Sequence, residues 1–117
     1  VIDRLSFQRV RDHQFADKEV IAVSISLKNK SNRSTTIEDV GMEIGNYRFD
    51  VTNQFVAKKH IGANSSEKFD FRQKILVKEF NEILEIKPVG LGITIHHTFG
   101  ELKRGGLTDF SSDYLSL

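Results

Sequence analysis

Beyond its carboxylates, the residues in this chain best suited to acid–base or metal chemistry are four histidines, at positions 13, 60, 96 and 97. His96 and His97 are neighbours in an alternating stretch. Adjacent strand residues point to opposite faces, so these two cannot chelate one ion together. One is expected near the core and the other near solvent. His60, His96 and Asp50 could form a dispersed His/carboxylate site, as in a small metal-dependent hydrolase, but nothing in their spacing requires it. The chain has no cysteine. That excludes disulfides, thiol catalysis and zinc–thiolate sites. None of GxSxG, HExxH, a Walker A loop or GxGxxG occurs. Gly90-Leu91-Gly92 lies inside an alternating apolar pattern with no helix after it, which argues against a phosphate loop. Serines are plentiful, but none has a base signature beside it. No catalytic residue, metal ligand or cofactor is assigned on these grounds.

The remaining chemistry is ionic. Basic residues gather at Arg9, Arg11 and His13, at Lys28, Lys30 and Arg33, at Lys58, Lys59 and His60, and at Lys103 and Arg104. Loops at one end of a sandwich can converge, so two of these groups could form an anion-binding patch. Asp12, Asp17, Glu38 and Asp39 would dilute it. The whole chain carries 17 basic and 16 acidic residues, a net charge of +1. A balance this close gives no strong overall field, so nucleic acid and anionic membranes are not the expected partners. A polyanion binder is the alternative, and salt would weaken it steeply. Lys58, Lys59 and His60 are polar and fall where strand alternation fails, which marks them as an exposed contact loop. Arg48 joins them as a candidate contact, from an edge-like segment, Tyr47-Arg48-Phe49-Asp50-Val51. Such an edge can accept a partner's strand. The charges of Arg48 and Asp50 can equally guard it against aggregation. Asn-x-Ser sequons at Asn29, Asn32 and Asn64 all fall in expected loops and read as turn chemistry.

Period-two patterning dominates the elements that must position these residues. Ile21, Val23, Ile25 and Leu27 share one face, and Ala22, Ser24, Ser26 and Lys28 share the other, as in a half-buried strand. Asn29 to Ser34 is a run of turn formers. A shorter strand carries Leu5, Phe7 and Arg9. Arg11-Asp12-His13 is read as a turn with Phe15 beneath it. From Ile37 to Ile44 the step between Ile37 and Val40 breaks the alternation and predicts a bulge near Asp39. Gly45-Asn46 is a hairpin signal, with Tyr47, Phe49 and Val51 on the return strand. Phe55 and Val56 are expected to cap the core, and Phe69 and Phe71 mark a further strand. Over 77–86 the period becomes helical, with Val77, Phe80, Ile83 and Leu84 on one side and Pro88 ending the helix. Val89, Leu91, Ile93 and Ile95 alternate again, and Gly90 and Gly92 suggest a bulge or a close backbone approach. A last short strand lies near Leu102–Leu107, and a frayed tail or linker fills 108–117.

The expectation is one all-β domain over 1–107. It is an antiparallel immunoglobulin-like sandwich of about seven or eight strands, with one short helix before the last two. A small closed barrel is the structural rival. Leu27-Lys28-Asn29-Lys30-Ser31, then Ile37-Glu38-Asp39-Val40, Gly62-Ala63-Asn64-Ser65 and Phe69-Asp70-Phe71 follow in an order that resembles the immunoglobulin-like accessory domains of bacterial cell-envelope proteins. The resemblance spans roughly residues 18–100. It implies a non-enzymatic module in an extracytoplasmic setting and carries no catalytic residue across. Ile61 departs from the pattern, standing where proline is usual before Gly62. No apolar run approaches the ~18–20 residues that span a bilayer. The chain starts at Val1 without methionine, as a mature or excised domain would. The favoured reading is a non-catalytic module that binds another protein through end loops or an edge strand.

Overall fold

A computed structural model describes residues 1–10 and 17–117. The turn expected at Arg11–His13 and the burial expected of Phe15 lie outside these residues. The described chain forms two antiparallel sheets packed face to face, the all-β sandwich that the alternation predicts. Strands β1 (Ile2–Val10), β2 (Lys18–Lys28), β6 (Ser66–Leu76) and β9 (Tyr114–Ser116) make one sheet, in the order β6-β2-β1-β9. The other has the order β4-β3-β7-β8, from β3 (Thr35–Ile44), β4 (Tyr47–Asp50), β7 (Val89–His97) and β8 (Gly100–Thr108). The two-residue strand β5 (His60–Ile61) pairs with the start of β3.

The core is what period two dictates. Leu5 and Phe7 of β1, Ile21, Val23, Ile25 and Leu27 of β2, and Phe69, Phe71 and Ile75 of β6 face Val40, Met42 and Ile44 of β3 and Leu91, Ile93 and Ile95 of β7, all buried. The bulge foreseen near Asp39 is present: the register of β3 against β7 shifts between Ile37 and Asp39. One extra residue lets Ile37 and Val40 both point inward. The Gly45-Asn46 turn joins β3 to β4, and Gly45 takes a φ of +58°, which glycine adopts without strain. Gly92 sits opposite Gly105. A Cβ on Gly105 would lie 2.7 Å from the Leu91 carbonyl oxygen, the close backbone approach that the glycines of β7 suggested.

Three elements differ from expectation. The irregular stretch after β4 folds as a 3-10 helix, Thr52–Lys58. It buries Phe55, whose ring lies 4.5 Å from Phe69 and 5.8 Å from Phe71. Val56, expected to cap the core beside it, is instead exposed, because a 3-10 turn sends consecutive side chains in different directions. Helix α1 (Val77–Leu84) follows β6 directly and buries Phe80 and Ile83 across one end of the sandwich. The segment expected as a tail is ordered differently: β9 pairs with β1, Leu117 accepts and donates backbone hydrogen bonds with Leu5, and Phe110, Leu115 and Leu117 pack on the core. Serine and aspartate mask this short strand's apolar alternation in the sequence. There are thus nine described strands, three of them after α1, and two short helices.

Candidate binding site at the open end of the sandwich

At the end opposite α1 the two sheets part around a cleft of about 250 Å³. Its floor is apolar and comes from five strands: Leu27 of β2, Ile37 of β3, Ile61 of β5, Ile95 of β7 and Leu102 of β8. Each lies on the inward face of its strand, at the end where that strand leaves the core. The walls carry Lys28, Lys30, Ser31, Thr35, His97 and Phe99.

The walls are held by named contacts. Asn29, only 8% exposed, donates from Nδ2 to the carbonyls of Arg33 (2.7 Å), Ile61 (3.1 Å) and Gly62 (3.2 Å), and its Oδ1 accepts from the Ser31 amide at 3.0 Å. The Asn29 amide donates to Ser65 O and the Asn64 amide to Ser31 O. These bonds fasten the β2–β3 loop to the β5–β6 loop. On the facing wall, the Phe99 amide donates to His97 Nδ1 at 3.2 Å, with Thr35 Oγ1 3.4 Å from the same nitrogen. An acceptor at Nδ1 places the neutral ring's hydrogen on Nε2. Burial, the largest cause, holds His97 below its ordinary value of 6.5. Phe99 is 52% exposed, and the Arg33 guanidinium lies 5.6 Å from its ring centre.

The candidate contacts read from the sequence are spread out. Lys58 reaches Glu67 at 3.6 Å, and Lys59 is exposed while its carbonyl accepts from the Ile37 amide. His60 places Nδ1 2.9 Å from Thr36 Oγ1. This run therefore flanks the outside of the cleft, next to Ile61. Arg48 is on edge strand β4, folded flat over Gly41, with Nη2 3.2 Å from Asp39. A dispersed His60–His96–Asp50 site is not assembled. His60 lies opposite Thr36, His96 opposite Asp39 with Glu101 at 3.9 Å, and Asp50 opposite Gly41. Hydrogen bonds from the Thr52 hydroxyl and amide hold the Asp50 carboxyl below the ordinary carboxylate value. Among the described residues no three His, Asp or Glu side chains are grouped to hold a metal ion. No helix among them is long and apolar enough to cross a membrane.

Sequence reasoning missed the cleft because no local pattern carries it: positions 27, 37, 61, 95 and 102 meet only once the strands are paired. The legible signal was the Asn-x-Ser turn at Asn29. Its burial makes it a structural clamp in place of a surface sequon. No family model matches the chain, and no curated protein matches it.

Proposed function

We propose that the chain is a non-catalytic protein-binding module, of the immunoglobulin-like accessory kind that its sequence resembles, and that it binds through the open end of the sandwich. The observation that carries this reading is the apolar cleft between the sheets, left uncovered where α1 covers the opposite end. The floor side chains of Leu27, Ile37, Ile61 and Ile95 are themselves buried, and the apolar surface that meets water in the cleft is that of Phe99, Val1 and half-buried Leu102. Concave apolar sites with a polar rim are the usual form of binding sites. Walls already fastened by hydrogen bonds lose little freedom when a partner docks, which favours affinity.

The test is a selection. A displayed random-peptide library is panned on the immobilised chain and counter-selected on Leu102→Lys. Leu102 is half-buried on edge strand β8, where a lysine puts charge into the cleft, and a thermal melt of the variant checks that it folds. Peptides sharing an apolar residue are expected, with affinity falling roughly tenfold or more on Leu102→Lys. No enrichment, or peptides that bind both proteins equally, overturns the reading.

A further inference from the structure

We infer that the cleft takes a single apolar side chain of a partner polypeptide, a phenylalanine or leucine flanked by aspartate or glutamate. This rests on the reading of the cleft as a protein-binding site. Size is the first ground. Ligand and cofactor sites run from about 300 to 1,000 Å³, whereas an apolar cavity of about 150 Å³ holds one benzene ring. At about 250 Å³ the cleft suits one large side chain and is small for a cofactor.

Charge is the second ground. Lys28 and Lys30 are the charged side chains on the cleft wall, both are exposed, and no acid lines it among the described residues. Elsewhere on this surface Arg48, Lys58, Lys68 and Lys103 each face a carboxylate of this chain, while Lys59, Arg72 and Lys78 have no ion pair among the described residues. Lys28 and Lys30 face none among the described residues. Arg33, stacked on Phe99, adds a third cation at the mouth. Glu38 is near enough to act on His97 but is not on the cleft wall. An apolar floor under unpaired cations complements an apolar side chain with carboxylates beside it.

The experiment measures fluorescence polarisation of short labelled peptides against the intact chain. One carries a central phenylalanine among aspartates and glutamates. A second replaces the acids by asparagine and glutamine, a third by lysine, and a fourth replaces the phenylalanine by alanine. The acidic peptide is expected to bind about fivefold tighter than its amide counterpart at low salt, an advantage that shrinks as salt is added. The double variant Lys28→Glu/Lys30→Glu should prefer the lysine peptide. If the amide peptide binds as well, or the variant keeps the original preference, while the phenylalanine is still required, the acidic-partner inference fails and the cleft reading stands. If the alanine peptide binds as well as the phenylalanine one, or nothing binds, both fail. A single-stranded oligonucleotide that binds more tightly than every peptide overturns both in favour of a polyanion site.

Discussion

Asn29 places two amide hydrogens among three backbone carbonyls and accepts from the Ser31 amide, all within a loop that has little else buried. Removing the side chain takes a bond from each of the three carbonyls and from the Ser31 amide, although Arg33 O keeps the Ser31 hydroxyl and Gly62 O keeps the Ser65 amide. Asn29→Ala is expected to cost about 2 kcal/mol, read as a lower urea midpoint at unchanged slope. Asn32, exposed in the same loop, is the control and should change stability by no more than about 0.5 kcal/mol on replacement by alanine. Equal midpoints for the two variants would mean the loop does not depend on the clamp. The residue type and its place after a strand were readable; which of three sequons is buried was not. That choice is made by Ile61 and Gly62, which arrive from β5, thirty-odd positions along the chain. Lys58 and Glu67, like Arg48 and Asp39, are nine positions apart, and which partner each cation meets is set by how the strands are laid, so exposure was legible while partners were not.

Strands β7 and β8 meet at Gly92 and Gly105, where Gly105 has no room for a side chain and a Cβ on Gly92 would stand only 3.2 Å from Arg104 O. A Cβ on Gly105 would stand 2.7 Å from Leu91 O and 3.3 Å from Gly92 Cα, both rigid backbone. Gly90, two residues from Gly92 on the same face, has open space around its own Cβ position. Gly105→Ala is therefore expected to destabilise the domain by about 1–3 kcal/mol, whereas Gly90→Ala should be neutral or slightly stabilising. Thermal melts of the two variants check this, and equal melting points would remove the close approach as the reason for the pair. Most elements were legible because period two survives along β2, β6 and β7, and because the helical period of 77–84 is unambiguous; in β3 the break in alternation itself marked the bulge. The 3-10 helix was not legible, since its only fixed requirement is that Phe55 reach Phe69 and Phe71. Strand β9 was missed for a related reason. Three residues are too few to show a period, and Leu115 and Leu117 gain their meaning only beside Phe7 and Leu5.

The sandwich as a whole is closed along one side by its last residues. Leu117 sits over Gly106, Phe110 meets Phe80 edge-on at 5.4 Å, and Arg104 reaches across from β8 to donate to the Ile2 carbonyl at 2.7 Å. Arg9 lies over the same Phe80 ring and holds Glu19 through both guanidinium nitrogens that face it. Deleting residues 110–117 would uncover the β1 edge and the Phe80 side of the core together. Loss of two or three partly buried apolar side chains is expected to lower the melting temperature by about 10 °C or more. A melt within a few degrees of the full chain would show that β9 contributes little. Because β9 runs antiparallel to β1, Leu117 lies beside Leu5, four residues in from Val1. Tension applied across residues 1 and 117 would load the Leu5–Leu117 backbone pair before the pairs behind it. The strands would then part like a zipper, one rung after another, without the whole ladder resisting in shear. Held to β1 by only three register pairs and the Leu5–Leu117 bonds, β9 is the element expected to come away first under force.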